Sequence, residues 1–480
     1  MTQTKVSMPV GSTSQKSILY DRESDDFWQH KTPNLSITDK TKIISFALKI
    51  PTIDPLAFLQ KIGDCQSIHF YWENPSKQEA VLALGATKYE NFNSQTRFTR
   101  AQKFMEGCWK QLIQKGETNS IIGQPSIFCS FTFFDNSNIE SAFFPGATVF
   151  LPRFQIVRKH KACLLIINTP ASETESSQNT IARLKQEIAR IDWSQLTTVE
   201  RSLKKNSAAD VSTDLEDARH FKSVVTEALN SIAVDEFSKI VIAYATDIKS
   251  TTPFQIIESL SNLRDRHPDC YIFSTSNGKG QQFIGASPER LVSIQNKQLV
   301  TDALAGSAPR GKTNAEDVHL ANLLLKSRKE KREHQTVSDF ILERLQELDL
   351  KPHQLPLQLL RLSNIQHLWT PIYAHLSREI EPLTIVEQLH PTPAVAGLPT
   401  KLTCEKIRYY EKFDRSLYAS PLGWVDIGGN CEFVVGIRSA LIDGDRAQVY
   451  AGAGIVSGSN PDKEFAEIQL KLQSLLKALV

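Results

Sequence analysis

Residues 431–480 read CEFVVGIRSALIDGDRAQVYAGAGIVSGSNPDKEFAEIQLKLQSLLKALV, and the reading of the whole fold starts there. Two apolar runs, 433–442 and 447–455, flank Asp443-Gly444-Asp445, a short turn sequence of the kind that joins antiparallel strands. Gly452, Gly454 and Gly458 interrupt the second run, which marks a bulge or a backbone that something must approach closely. Asn460-Pro461-Asp462 then opens a helix whose buried face is Leu470, Leu472, Leu475 and Leu479. Glu464, Glu467 and Lys471 lie three and four apart and share one side of that helix.

Taken alone, this charged side reads as a solvated stripe. A second acidic pair changes the reading. Glu330 and Glu333, in SRKEKREHQTVSDFILERL, are again three apart at the opening of a helix. Two such helices can gather four carboxylates around one hard divalent cation, which prefers oxygen ligands.

Four stretches, SRKEKREHQTV (327–337), LHPTPAVAGLP (389–399), GWVDIGGNCEFVVGIRSALI (423–442) and YAGAGIVSGSNPDKEFAEIQLKL (450–472), follow one another along the chain. In that order they resemble the successive motifs of the chorismate-binding enzymes, most of all the isochorismate synthases, and the resemblance covers about 221–480. It implies an α+β fold with two stacked, mainly antiparallel sheets at the centre and helices outside, in a single compact domain. Strand pairs with short turns in both halves of the sequence agree with that expectation.

The resemblance also implies a chemistry. Its substrate is chorismate, a dianion, and its cofactor Mg²⁺, with Glu333 and Glu467 as direct ligands and Glu330 and Glu464 acting through water. Arg438, Tyr450 and Lys471 match positions that hold the substrate's carboxylates, with Gly452 and Gly454 offering backbone donors nearby. Lys239, in FSKIVIAYA (237–245), matches the base that activates water; Glu289, in FIGASPERLVSI (283–294), matches the acid that protonates the departing C4 hydroxyl. His367 and the backbone of Leu304, Ala305 and Gly306 match the wall around that hydroxyl. Lysine ordinarily titrates near ~10.4 and glutamate near ~4.3, so this assignment demands a neutral lysine and a protonated glutamate, both favoured by desolvation.

Relatives within the family set the alternatives. Enzymes that use ammonia do not keep a lysine at the position of Lys239, so no glutamine amidotransferase subunit is expected. Salicylate synthases, which go on to eliminate pyruvate, show threonine where this chain has Ala394. A binding protein without turnover is the third reading, because Tyr244, Ser420 and Cys431 depart from the residues commonly found at their positions. The product is expected to feed menaquinone, phylloquinone or a siderophore.

Composition excludes other classes. The 480 residues carry 55 Lys plus Arg against 53 Asp plus Glu, a net charge of +2 that makes no electrostatic case for nucleic acid or an anionic membrane. Seven cysteines without CxxC spacing suit a reduced cytoplasmic protein, and no run approaches a membrane span. Residues 1–17 read as a flexible lead-in, 18–207 as a scaffold half without chemistry of its own, and 208–480 as the catalytic half of the same unit. In the scaffold half, helices are expected at 55–62 and 94–115, and strands in SIFCSFTFF, ATVFLPRFQIV and KACLLIIN.

Overall fold

The computed structural model describes residues 41–63, 66–120, 122–135, 143–171, 176–201, 210–211, 215–377 and 379–479. The lead-in expected at 1–17 and the boundary expected at 207 lie outside the described residues.

Strands Glu79–Phe92 and Ala147–Lys159 pair with each other along almost their whole length and belong to both layers of the fold. A register shift between Ala86 and Lys88 bends the pair, and Gly85 takes a φ of 63° beside it. On one side of the bend the order runs outward through Ala162–Pro170 and Ile43–Ile50 to Leu112–Gly116, the last pairing being parallel. The same layer runs the other way through Ile68–Asn74, Tyr271–Asn277, Gln282–Ser287, Ser439–Asp443 and Arg446–Val456 to Lys239–Lys249.

The second layer starts at the other end of Ala147–Lys159. It passes through Ser126–Phe131, Pro421–Asp426, Cys431–Val435, Arg290–Gln295 and Gln298–Pro309 to Ile365–His375. Apolar side chains close the space between the layers, as where Phe70 of the first meets Phe128 of the second with ring centroids 5.4 Å apart. The expected architecture of two central, mainly antiparallel sheets is therefore present. Both sheets draw strands from both halves of the sequence, since Ile68–Asn74 pairs with Tyr271–Asn277 and Ser126–Phe131 with Pro421–Asp426.

Helices cover the outside. Pro461–Leu479 and Leu215–Ala233 pack on the first sheet, Asn314–Lys326 and Arg328–Glu347 on the second. Helix Arg328–Glu347 is capped by Ser327, whose hydroxyl accepts from the Glu330 amide. Asn460 caps Pro461–Leu479 by accepting from the amides of Asp462 and Lys463, and proline takes the first helical position, where its missing N–H costs nothing. Among the described residues no helix is long and apolar enough to cross a membrane.

Two expectations are corrected. The apolar run 433–442 is not one strand: Cys431–Val435 belongs to the second sheet and Ser439–Asp443 to the first, with a crossing at Gly436-Ile437-Arg438 where Arg438 has a φ of 49°. Hydrophobicity marks both pieces as buried but cannot show that they lie in different layers. The helix expected over 94–115 is Arg97–Gln111, and its tail Leu112–Gly116 is a strand beside Ile43–Ala47. There tertiary pairing outweighs local helical preference.

Candidate active site

The chain crosses between the sheets twice at one place, and each crossing carries one of the expected site residues. Gln282–Ser287 lies in the first sheet and Arg290–Gln295 in the second, so Glu289 stands at their junction; Arg438 stands at the junction described above. The two crossings are bonded to each other, Ala286 N to Arg438 O at 3.1 Å and Val435 N to Glu289 O at 3.0 Å. Beside them opens a cavity of about 120 Å³, far more than one water requires.

The expected acid Glu289 and every substrate and metal position expected from the sequence line this cavity: Ala305, Gly306, Glu330, Glu333, His367, Ala394, Arg438, Tyr450, Gly452, Gly454, Glu464, Glu467 and Lys471; the expected base Lys239 does not. Lys239 joins through Glu333, whose Oε1 lies 2.9 Å from its Nζ. The Lys239 side chain is 2 % exposed, and among the described residues its Nζ has no acceptor in hydrogen-bonding geometry. Gly454 makes the room: a Cβ there would come within 2.5 Å of Glu333 Oε1 and 3.4 Å of Lys239 Cε. Gly452 likewise clears the Tyr418 hydroxyl, and its carbonyl accepts from Lys471 Nζ at 2.8 Å.

The carboxylates come from two helices and are tied together by Ser307. Its amide donates to Glu330 Oε2 at 3.2 Å and its hydroxyl to Glu467 Oε1 at 2.9 Å. Ser307 can reach both because Gly306, with a φ of 76°, forms a bulge in Gln298–Pro309. Each carboxylate also meets a lysine: Glu333 meets Lys239, Glu467 meets Lys471 at 2.7 Å, and Glu464 meets Lys329 at 3.1 Å, with Glu330 3.7 Å from Lys329.

Crowding shows in the acidities. Burial, reinforced by the neighbouring Glu333, pushes Glu330 up to about 7, and burial raises Glu464 as well. Burial also acts on Glu467, but Lys471 and Ser307 outweigh it and bring that carboxyl down to about 2. Such a set, acceptor-only oxygens repelling one another, fits a hard cation that brings its own waters. Among the described residues no three of them converge into a ready-made cage, so a cation there would complete its shell with water and substrate oxygens.

Glu289 is 5 % exposed, and burial lifts its carboxyl to about 8; Asp302 adds to the rise, while Lys239 and Lys471 oppose it. Burial, together with the charges of Arg438 and Lys471, lowers His367 to about 3. Its neutral Nε2 therefore accepts from the Arg438 guanidinium, 3.1 Å away. Tyr450 donates its hydroxyl to Gln448 at 2.7 Å and stacks on Tyr418. The ring is what it contributes to the wall.

The departures lie elsewhere. Tyr244 packs edge-on against Phe221 and Phe465, Ser420 donates to the Leu417 carbonyl at 2.6 Å, and Cys431 is buried in its strand. None of the three lines the cavity. Sequence reasoning missed Lys329 and Tyr418. Lys329 is the direct neighbour of Glu330, which was the available signal.

The arrangement sets cations and a protonated carboxyl around one cavity, a combination that can bind a dianion and pass protons across it. A family model described as chorismate binding enzyme matches residues 30–480. The chain is 31 % identical over 455 residues to a salicylate biosynthesis isochorismate synthase of Pseudomonas aeruginosa, covering 92 % of this chain and 91 % of that protein. Over 450 residues it is 28 % identical to an isochorismate synthase of Bacillus subtilis, covering 91 % and 93 %. The solved menaquinone-specific isochorismate synthase from Escherichia coli is similar with a TM-score of 0.73 at 28 % identity, covering 91 % of this chain and 95 % of that one. A match over nearly the whole length, with the motif residues gathered round one cavity, places this chain in the chorismate-binding enzyme family.

Proposed function

We infer that the chain is an isochorismate synthase, which adds water at C2 of chorismate and expels the C4 hydroxyl as water. The observation that carries this reading is a cavity lined by a buried glutamic acid, whose carboxyl burial lifts to about 8, and by Glu333, behind which a buried lysine lies 2.9 Å away. Lys239 takes a proton from water as the water oxygen bonds to C2. Both ring double bonds shift by one position, the C4–O bond breaks, and Glu289 gives its proton to the leaving oxygen. Proton count and electron count are unchanged overall, as an isomerisation requires.

Binding is the task of the cations. Arg438, steadied by His367, and Lys471 supply positive charge for the two carboxylates, the guanidinium through paired hydrogen bonds. Mg²⁺ is the proposed cofactor: Glu333 and Glu467 would hold it, and Glu330 and Glu464 would act through water. When bound, it neutralises the ring carboxylate. Ala394 on the cavity wall favours stopping at isochorismate.

Incubating purified protein with chorismate and Mg²⁺ and resolving the products tests the reading. Isochorismate alone is expected. Salicylate with pyruvate would select the salicylate synthase reading, and unchanged chorismate would overturn catalysis altogether.

A further inference from the structure

Arg415 is the largest fully buried side chain among the described residues, and no step above uses it. Its surroundings show what it holds. Strand Lys239–Lys249 is paired along its whole length by Arg446–Val456 on one side. On the other, among the described residues, Gly397–Leu398 pairs with Ile240 and Lys239, and Asp210–Val211 with Lys249 and Ile248. The Val241 amide is still met by Ala396 O at 2.7 Å. Beyond it, side chains bond the strand: Arg415 Nη2 donates to Val241 O at 2.9 Å, and Glu411 Oε1 accepts from Ala243 N at 2.7 Å.

The same guanidinium reaches a second wall of the cavity, Nη1 donating to Val395 O at 2.8 Å. Glu411 binds it through two parallel bonds, from Nε at 2.8 Å and Nη2 at 2.6 Å, which fixes the plane of the fork. Phe133 and Tyr418 flank it, with Cζ 4.4 Å and 5.8 Å from their ring centroids. Val241, Val395 and Tyr418 all line the cavity, and Lys239 lies two residues before Val241.

We propose that Arg415, braced by Glu411, is a positioning residue for water addition: by bonding Val241 O and Val395 O at once it fixes Lys239 relative to the Ala394–Val395 wall without touching substrate. This rests on the isochorismate synthase reading. Arg415→Lys keeps the charge but loses the planar fork, so both carbonyls cannot be held together. Misplacing a reacting group by a fraction of a bond length lowers turnover more than affinity.

The test measures kcat and KM per folded molecule, with the folded fraction read from circular dichroism. Arg415→Lys is expected to lower kcat about 10- to 100-fold with KM within about threefold of parent, and Arg415→Met to lower kcat further. Arg264→Lys is the control, because Arg264 sits in a buried cluster with Asp54, Glu73 and Tyr71, none of which lines the cavity. It is expected to lose stability and keep kcat. Unchanged kcat in Arg415→Lys, or an equal fall in Arg264→Lys at a matched folded fraction, overturns the proposal. If Arg415→Lys does not fold, Glu411→Gln is judged by the same criteria. A parent enzyme that makes no isochorismate overturns the function reading instead, so the two failures are distinct.

Discussion

Glu289→Gln separates the stability of this protein from its chemistry, with a sign and a size that follow from one buried carboxyl. Burial holds that group at about 8 against an ordinary 4.5. Below pH 4.5 the folded and unfolded chains both carry the proton. Between 4.5 and 8 only the folded chain does, so folding binds a proton and stability falls as pH rises. The displacement corresponds to about 5 kcal/mol, lost progressively and in full by about pH 8. Glutamine has the shape of the protonated acid and does not titrate, so the variant escapes this loss.

The variant is therefore expected to match the parent near pH 4.5 and to exceed it by about 3 kcal/mol at pH 7 and about 5 kcal/mol at pH 8. Titrating groups far from Glu289 are common to both proteins and cancel in the difference, while Lys239, Asp302 and Lys471 act on its charge and enter it. Guanidinium chloride unfolding at four or five pH values between 4.5 and 8 measures it. Turnover should fall by about 10²- to 10⁴-fold, because an amide cannot deliver a proton to the leaving oxygen. In the parent, kcat/KM should decline above about pH 8 as Glu289 ionises. A stability difference that stays constant from pH 5 to pH 8, or that favours the parent, would refute the reasoning.

Other substitutions divide the site by task. Lys239→Ala should lose about 10²- to 10⁴-fold in turnover while calorimetry still detects Mg²⁺ and chorismate binding; parent-like isochorismate production would rule the lysine out as base. Glu333→Gln and Glu467→Gln should abolish activity with an unchanged circular dichroism spectrum, and full parent turnover in excess chelator would sink the metal assignment. Arg438→Ala should raise KM as well as lower kcat, since it removes a contact made before and during reaction; an effect on kcat alone would place that guanidinium outside substrate binding.

Much of this was legible because motif residues are named by local sequence, and local sequence is what the helices preserve. Glu330 with Glu333, and Glu464 with Glu467, were readable as pairs from spacing alone, since three residues is nearly one helical turn. What spacing cannot carry is which pairs face which. That depends on Ser307, 20 or more residues from either pair, reaching both through the bulge at Gly306. The joint at 436–438 was hidden for a related reason. Buried strands in two layers show the same apolar run, and only the left-handed backbone of Arg438 separates them. Arg415 was invisible because its role is to satisfy backbone groups, which leave no mark on sequence.

The placement of Glu289 and Arg438 at the two crossings has a physical reason. Within a strand, side chains alternate between faces and the backbone is committed to its neighbours. At a crossing that alternation is suspended, and the side chain can enter the gap between the layers. Here the crossings are locked by bonds from Ala286 N to Arg438 O and from Val435 N to Glu289 O, so the acid and the guanidinium are held by backbone and not by each other's charge. The layers that close round the joint also exclude water from Glu289, and that desolvation is the largest contribution to its retained proton. Strand Lys239–Lys249 brings the lysine to the same gap from the edge of the first sheet, where Gly454 leaves space for its contact with Glu333. The position of Glu289 and its retained proton thus have one structural cause, while the placement of Lys239 has a separate one, the strand to which it belongs.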